Sequence, residues 1–405
     1  MSQVKDVVAE RKVGDGEETK SSDAAIETAR TTERPHYREG EHWCSLSLTS
    51  EPQRWEELKA KLGKVPVGAT AAEATTWEDF AKEVEQREAG KPCVLPPCEV
   101  CDPRWSFEDL RQRFGDRGWR VSDTHGAILT LNEYQRYLET TTDDSPIGLY
   151  DSMFVAEGGP EASLAQEYGI PKPFAATRDL FALVDGEEGE VGGGDSTTRP
   201  PWRWLLFGGE RGGTGIHLDP LQTHAWVHLT SGLKRWALFP PGTDTELIGL
   251  SCKVWDDGTV EDSVRWYLER YPKLKEMARR GEIEMVEVLQ RPGETVFTPQ
   301  GWPHLVLNLE TSVAVTHNYA TEFGAGVDGD DVGGDDQAMG EKEAAANAGV
   351  LNLNNKASKG QPAGFLVLWA ELCMSEPEFA VEFLKALREK RPGLAEMCDE
   401  RLLEE

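Results

Sequence analysis

The sequence lacks several features that mark secreted, membrane-embedded and nucleic-acid-binding proteins. Cysteine is scarce, at 7 of 405 residues, and such an odd, scattered set is typical of reduced thiols inside a cell. Lys and Arg number 43 against 72 Asp and Glu, a net charge of −29, so direct nucleic-acid binding is not expected. No apolar run approaches the roughly 18 residues of a membrane span, and the first residues have no apolar signal-peptide core. We therefore expect a protein of the nucleus or cytoplasm that is neither secreted nor membrane-embedded.

The acidic charge also bears on the partner of the protein. A field of this sign attracts cationic molecules and raises their local concentration, which favours a Lys/Arg-rich protein as substrate. The alternative is that the acidic segments serve solubility alone. The charge by itself does not choose between these interpretations.

Segments of low sequence complexity divide the chain. Residues 1–37 are polar without periodicity and are predicted to form a disordered acidic tail, with a weakly helical tail as the alternative. An acidic, glycine-rich stretch at 186–198 is predicted to be a surface loop, and a similar stretch at 323–362 a flexible linker. These limits leave one large domain at 38–322 and a helical segment at 363–405. The C-terminal helices can pack back on the domain or form a homodimer.

A series of short apolar segments, separated by Gly and Pro turns, indicates the fold class. The segments are Trp204–Phe207, Ala225–Leu229, Lys234–Phe239, Ile283–Leu289, Thr295–Thr298, His304–Leu309 and Ser312–Tyr319. This pattern predicts a mainly β fold, either an antiparallel barrel or a double-sheet jelly roll. Helical periodicity predicts helices before and after it, at Glu51–Leu62, Phe107–Phe114, Asn132–Leu138, Phe365–Leu372 and Pro377–Arg388.

Two histidines and an aspartate form the strongest chemical signal. His217 and Asp219 lie two residues apart, so both point to the same side of an extended segment. His304 begins an apolar strand much later in the chain. Two histidines and one carboxylate are the ligand set of non-haem Fe(II) sites that keep positions open for substrate and O2. We predict a metal site at these residues; the alternative is a polar surface turn.

Side-chain alternation predicts which residues face the barrel interior. On one strand the small apolar Val227 and Leu229 suit the interior, which predicts that His224 and His228 lie on the outer face. If His304 points into the interior, so do Val306 and Asn308, and if Lys234 points inward, so do Trp236 and Leu238. An inward-pointing Lys234 would be buried and would require an anion. A ligand carboxylate is a candidate partner, and the alternative is a lysine that extends along the strand entrance into solvent.

Several motifs closely resemble those of Jumonji-C 2-oxoglutarate oxygenases. They are Gly213–Leu221 (GTGIHLDPL), Gly232–Pro240 (GLKRWALFP), Pro292–Phe297 (PGETVF), Gly301–Leu309 (GWPHLVLNL) and Asp143–Pro146 (DDSP). Within that family, the sequence is similar to the bifunctional arginine demethylase and lysyl-hydroxylase group, once called the phosphatidylserine-receptor family. The resemblance covers roughly residues 37–322.

The resemblance implies a fold and a reaction. The fold is a double-stranded β-helix, a jelly-roll or cupin-like barrel, with N-terminal helices and a C-terminal helical tail. Residues 38–322 would be the oxygenase domain, with the β-helix core at about 200–320. His217, Asp219 and His304 would bind Fe(II) and carry catalysis, with 2-oxoglutarate and O2 as co-substrates. The reaction would hydroxylate lysine side chains or demethylate methylated arginine in proteins, with histones and RNA-processing factors as candidates.

The resemblance also implies four contacts to the co-substrate. Thr214 and Lys234 would hold the C5 carboxylate of 2-oxoglutarate, which is the anion that an inward-pointing Lys234 requires. Thr316 and Asn318 match further co-substrate contacts.

Two positions depart from the pattern of the group. Val227 stands where the group has an asparagine, and Gly148 where it has a tyrosine that reaches the co-substrate; Tyr150 lies on a shifted position. The loss of both hydrogen bonds would weaken 2-oxoglutarate binding by about 1–3 kcal/mol. This leaves two alternatives open: a catalytically weak or inactive cupin-like metal-binding module, and a metal-dependent hydrolase or isomerase on the same barrel.

Overall fold

The computed structural model describes residues 15–39, 41–66, 72–73, 90–97, 105–122, 126–155, 162–171, 174, 179–184, 199–251, 255, 257–321, 363–398 and 400–403. The predicted loop at 186–198 and the predicted linker at 323–362 lie outside these residues. Among the helices so described, none is long and apolar enough to cross a membrane.

The helices and strands are numbered in chain order. The helices are α1 (Asp15–Glu33), α2 (Pro52–Leu62), α3 (Phe107–Phe114), α4 (Leu131–Thr140), α5 (Thr245–Ile248), α6 (Ser263–Glu269), α7 (Tyr271–Arg279), α8 (Ala363–Ser375), α9 (Pro377–Lys390) and α10 (Pro392–Ala395). The strands are β1 (Ala72–Glu73), β2 (Cys93–Leu95), β3 (Gly118–Arg120), β4 (Ile128–Thr130), β5 (Leu149–Asp151), β6 (Arg203–Gly208), β7 (Gly213–His217), β8 (His224–Ser231), β9 (Lys234–Leu238), β10 (Val286–Gln290), β11 (Thr295–Thr298), β12 (His304–Asn308) and β13 (Ser312–Tyr319). Short 3-10 turns lie at Ala162–Gln166, Leu180–Leu183, Pro220–Gln222 and Glu400–Leu403.

Two sheets form the barrel. The larger sheet has the strand order β1-β2-β11-β8-β13-β6-β5, and the smaller has the order β10-β9-β12-β7. Apart from the short parallel pair β1–β2, neighbouring strands run antiparallel. The predicted double-stranded β-helix, with helices on both sides in sequence, is confirmed.

Side chains from both sheets meet in the barrel interior. The apolar interior residues are Val227, Leu229, Val296 and Ala314 from the larger sheet, and Trp236, Leu238, Val286, Val288 and Val306 from the smaller. Because side chains alternate along a strand, Leu305, Leu307 and Ala237 point the other way, into a second core beneath the helices. The alternation predicted for β8, β9 and β12 is therefore confirmed.

Helices cover the outer faces of the sheets. Helices α3 and α4 pack in the core that covers the larger sheet, and α2, α6 and α7 pack in the core that covers the smaller one. Ser106 begins α3 by accepting a hydrogen bond from the Asp109 N–H at 3.2 Å. Thr130 and Glu133 form a capping box that begins α4, so local sequence fixes where these covering helices start.

The preferred prediction of a disordered tail at 1–37 is wrong for Asp15–Glu33, which forms α1 and so matches the helical alternative. This helix packs on α4 and β4, and Ala29 and Arg30 are buried there. The helical periodicity of apolar residues that marks a packed helix is weak in this segment. Its main anchor is an arginine, which sequence patterns assign to solvent.

Arg30 is anchored by the first aspartate of the DDSP motif. Its Nε donates to Asp143 Oδ2 at 3.0 Å and its Nη2 to Asp143 Oδ1 at 2.7 Å. The Tyr137 hydroxyl also donates to Asp143 Oδ2, at 2.6 Å. Because Asp143 is only 1% exposed, this bidentate ion pair offsets the free-energy cost of burying the carboxylate.

The C-terminal helices pack back on the domain. Apolar residues of α8 and α9 form one cluster with the turn Leu180–Leu183 and with Leu221 and Ala320. Leu221 lies two residues after Asp219 and has a φ of 54°, a left-handed conformation that costs an L-residue roughly 1–2 kcal/mol. Burial of the Leu221 side chain in this cluster offsets the cost and fixes the segment that follows Asp219.

We predict that Arg30→Ala lowers the free energy of unfolding by about 3 kcal/mol, because it leaves the buried Asp143 carboxylate without its cation. Urea unfolding of the two proteins measures the difference. Arg111→Ala is the matched control, since Arg111 pairs with Glu108 at an exposed position on α3, and it should leave stability unchanged. Equal stability of Arg30→Ala and the unmutated protein would show that α1 is not anchored as described.

Candidate metal centre

The pairing of β7 with β12 brings two of the predicted ligands together. His217, the last residue of β7, is the cross-strand partner of His304, the first residue of β12. Directly opposed residues of an antiparallel pair share one face of the sheet, and the two ring centroids are 4.2 Å apart. Asp219 follows His217 by two residues, and its Oδ2 lies 3.9 Å from His304 Nε2.

Backbone carbonyls fix the orientation of both imidazole rings. The His217 Nδ1 donates to the Gly215 carbonyl at 2.8 Å, and the His304 Nδ1 donates to the Trp302 carbonyl at 2.9 Å. Since a carbonyl oxygen only accepts, both rings carry their hydrogen on Nδ1 and present the Nε2 lone pair to a metal. Burial, together with the nearby His304, lowers the pKa of His217 to about 4, so this ring is neutral at pH 7.

The three side chains fit a divalent metal ion. One ligand atom from each of His217, Asp219 and His304 lies within 4.8 Å of the others. Small movements therefore bring all three to the distance of about 2 Å that metal ligation requires. Two imidazoles and one carboxylate are the ligand set of open non-haem Fe(II) sites. Iron binding by these residues stays a prediction, and the chemistry of the donor set fits it.

A bulge in β7 turns Thr214 toward the same interior. His304 pairs with His217, and Val306 pairs with Thr214, so the register shifts by one residue. In a regular strand, residues three apart point to opposite faces; the extra residue puts Thr214 and His217 on the same face. Gly215 lies in the bulge, where a Cβ would be 2.4 Å from a neighbouring backbone oxygen.

Lys234 is buried on β9, opposite the far end of β12 from His304. Its Nζ donates to Asn308 Oδ1 at 2.7 Å, and no carboxylate in the described part of the chain pairs with it. Asn308 ends β12 and His304 begins it, so their Cα atoms are roughly 13 Å apart at about 3.3 Å per residue. Burial lowers the pKa of the Lys234 ammonium to about 8, as expected for a cation removed from water without an anion.

Asn308 is a site residue that sequence analysis missed as the partner of Lys234. Alternation along β12 placed it in the interior, but the contact depends on the register that pairs it with Lys234 on β9. Neither strand encodes this register by itself.

The other two predicted co-substrate contacts line the larger sheet. Thr316 and Asn318 lie two and four residues after Ala314 on β13, so they point to the same face as Ala314, toward the interior. The Thr316 hydroxyl donates to the Trp226 carbonyl at 3.0 Å, and Asn318 Nδ2 donates to Thr223 Oγ1 at 2.8 Å. Both side chains therefore have partners within the chain, and their contact with a co-substrate stays a prediction.

Strand β8 separates an apolar inner face from a histidine-bearing outer face. Val227 packs in the apolar interior, so it contributes to the wall and offers no side-chain hydrogen bond. On the outer face His224 Nδ1 accepts from the Gln300 N–H at 3.0 Å, and His228 Nδ1 bonds Thr295 Oγ1 at 2.9 Å. The prediction that these two histidines lie outside the barrel is confirmed.

We predict that His217→Ala weakens the binding of Fe(II) or Mn(II) by more than about 100-fold, because changes to residues that merely support ligands already cost roughly 10- to 100-fold. Titration calorimetry without O2 measures this. The control is His224→Asn, in which the Asn Oδ1 can accept the hydrogen bond from Gln300. This variant should bind metal normally, and unchanged affinity in His217→Ala would place the metal elsewhere.

Comparison with known proteins bears on the same region. Residues 204–319 match the family described as JmjC domain, hydroxylase. Over 255 residues the chain is 34% identical to the lysine-specific demethylase JMJ21 of Arabidopsis thaliana, covering 60% of this chain and 24% of the relative. It is 35% identical over 222 residues to the bifunctional arginine demethylase and lysyl-hydroxylase psr-1 of Caenorhabditis briggsae, covering 54% of this chain and 52% of the relative.

The psr-1 protein of Caenorhabditis elegans is 29% identical over 329 residues, which covers 80% of this chain and 68% of the relative. The chain thus spans from about a quarter to about two thirds of the length of these relatives. The matched family segment contains β6 except its first residue, strands β7 to β13, and all three side chains of the candidate metal centre. The chain therefore contains a JmjC domain.

Proposed function

We propose that the chain is an Fe(II)- and 2-oxoglutarate-dependent dioxygenase that hydroxylates lysine side chains or demethylates methylated arginine in proteins. The observation that carries this proposal is that the barrel interior has a candidate metal-binding group at one end and a buried cation at the other. The His217, Asp219 and His304 ligand atoms lie at one end of β12, and the buried Lys234 lies at the other. A short dicarboxylate that chelates a metal at one end and presents a carboxylate at the other matches both.

The metal and the co-substrates supply the oxidation. Fe(II) held by His217, Asp219 and His304 would couple the decarboxylation of 2-oxoglutarate by O2 to oxygen insertion, so that 2-oxoglutarate, O2 and a substrate C–H would give succinate, CO2 and C–OH. When the C–H belongs to an N-methyl group, the hydroxymethyl product releases formaldehyde, and the outcome is demethylation. The psr-1 relatives are named bifunctional arginine demethylase and lysyl-hydroxylase, which covers both outcomes.

The protein binds and orients the reactants. Lys234 supplies the charge that holds the distal carboxylate, and Asn308 holds the ammonium in place through its Oδ1. Thr214 lies on β7, which pairs with β12 on the side opposite to β9, and its side chain faces the interior. The apolar side chains of the interior exclude water, which strengthens the attraction between the ammonium and the carboxylate. Thr316 and Asn318 contribute further polar groups on the larger sheet.

The substrate we propose is a Lys/Arg-rich protein segment. The net charge of −29 attracts such a segment and repels nucleic acid. The location we propose is the nucleus or the cytoplasm. The oxygenase unit we propose extends beyond the matched residues to about 38–322, and α1 is packed on it. A homodimer through the C-terminal helices is a further proposal; it would use the outer surface, where Met374 and Val381 are exposed.

We predict that the protein forms succinate from 2-oxoglutarate in the presence of Fe(II), ascorbate, O2 and a Lys/Arg-rich peptide. His217→Ala should reduce the rate to background, because it removes a proposed iron ligand. Mass spectrometry of the peptide separates the two outcomes: gain of one oxygen means hydroxylation, and loss of a methyl group with formaldehyde release means demethylation. Raising the salt concentration should raise KM, because screening weakens the attraction of a cationic peptide.

The same assay decides between this proposal and its alternatives. Equal rates for the unmutated protein and His217→Ala would favour a non-catalytic cupin-like module, for which Val227 and Gly148 are the supporting positions. Turnover that persists without 2-oxoglutarate or O2 would favour a metal-dependent hydrolase or isomerase.

We predict a pH dependence for 2-oxoglutarate binding. Lys234 must be protonated to attract the carboxylate, and its pKa is lowered to about 8. Affinity should therefore be constant below about pH 8 and fall above it, by up to about tenfold per pH unit. Anaerobic calorimetry between pH 7 and 9 measures this. Lys234→Met should bind weakly with no such slope, and an identical slope in this variant would show that another group titrates.

A further inference from the structure

Tyr150 points into the barrel interior. It lies on β5, at the edge of the larger sheet, opposite Leu206 on β6. Leu206 packs against the apolar residues of the interior, and directly opposed residues share a face. The Tyr150 ring therefore lies on the same side of the sheet as Val227, Ala314 and the other interior residues.

The tyrosine owes its position to a glycine two residues earlier. A Cβ at Gly148 would lie 2.7 Å from Tyr150 Cε2 and 3.1 Å from Tyr150 Cζ, closer than carbon atoms approach one another without a shift. The absence of a side chain at Gly148 thus leaves the volume that the Tyr150 ring occupies. The two positions share one site in the interior, and a phenol reaches it from position 150.

The Tyr150 hydroxyl lies beside Thr214. It donates to the Gly213 carbonyl at 3.2 Å, a long hydrogen bond to a neutral acceptor. Burial raises the pKa of the phenol against the opposing hydrogen bond from the Thr214 side chain, so the phenol keeps its proton at neutral pH. Rotation of the O–H bond away from Gly213 makes that proton available to a carboxylate, which is the stronger acceptor.

The groups around this hydroxyl form one polar end of the interior. Strand β12 pairs with β9 on one side and with β7 on the other. Its last residue, Asn308, is opposite Lys234, and the residue before it is opposite Gly213. Tyr150 closes this end from the larger sheet. The ammonium of Lys234 is the cation at this end, and the hydroxyls of Thr214 and Tyr150 are neutral hydrogen-bonding groups near β7.

We propose that Tyr150 is a further co-substrate-binding residue, whose hydroxyl donates to the distal carboxylate of 2-oxoglutarate together with Lys234 and Thr214. The inference rests on the proposed function, since it concerns the same ligand. Its consequence is that glycine at position 148 does not deprive this chain of a tyrosine hydrogen bond to the co-substrate. The hydrogen bond comes instead from Tyr150, whose ring occupies the space that a side chain at position 148 would fill.

The test is the affinity for 2-oxoglutarate in the Mn(II) complex, measured by calorimetry. Tyr150→Phe should weaken binding about tenfold, because it removes one hydrogen bond to a charged group, and should leave Mn(II) affinity unchanged. Tyr271→Phe is the matched control: it removes a phenol hydroxyl that donates to Glu287 at 2.7 Å outside the interior. This control should bind 2-oxoglutarate like the unmutated protein.

A second ligand tests which end of the co-substrate is involved. 2-Oxopentanoate has the same metal-chelating end and no distal carboxylate. Tyr150→Phe should bind it as the unmutated protein does. An equal loss of affinity for both ligands would place the hydroxyl at the chelating end or show a general disturbance, and would overturn the inference.

A double-mutant cycle separates a direct contact from a structural effect. Gly148→Ala should displace the Tyr150 ring and weaken 2-oxoglutarate binding, whereas in the Tyr150→Phe background the same change should add little. Independent, additive losses would contradict the inference. If the unmutated protein binds 2-oxoglutarate and Tyr150→Phe binds it equally well, the inference alone fails. If the unmutated protein binds none, the proposed function fails and the inference fails with it.

Discussion

The register between β7 and β12 is the constraint on which the candidate site depends. It sets His217 against His304, and the bulge at Gly215 lets Thr214 face inward as well. The carbonyl of Gly215 also orients the His217 ring. Gly215 therefore serves two purposes, and a shift of the pairing by one residue would turn these side chains to the outer face. The two sheets and the helices on their outer faces keep this register fixed.

Much of the site was predictable because it follows strand periodicity. Side-chain alternation on β8, β9 and β12 placed Val227, Trp236 and Val306 in the interior and the histidines of β8 outside. The rest depends on how strands pair. Period two assigns Thr214 and His217 to opposite faces, and only the bulge reconciles them. The pairing of Lys234 with Asn308, and the position of Tyr150 beside Thr214, arise between strands that are distant in sequence.

The error at the N-terminus has a different physical origin. Composition predicts disorder where a segment cannot bury enough apolar surface to offset the entropy of ordering it. In α1 an arginine with two hydrogen bonds to a buried carboxylate supplies part of what apolar burial supplies elsewhere. Its partner, Asp143, belongs to one of the motifs that carry the family resemblance. In the structure this aspartate secures the helix and the loop before β5.

The position of Leu221 has a consequence for the order in which the protein forms during synthesis. Strands β6 to β13 are all available once Tyr319 has emerged from the ribosome. The apolar cover of Leu221 belongs to α8 and α9, which are translated later. Until then the left-handed turn after Asp219 has no apolar partner from these helices to offset its strain. The final conformation of the backbone after Asp219, the predicted carboxylate ligand, thus depends on a part of the chain that lies outside the matched family segment.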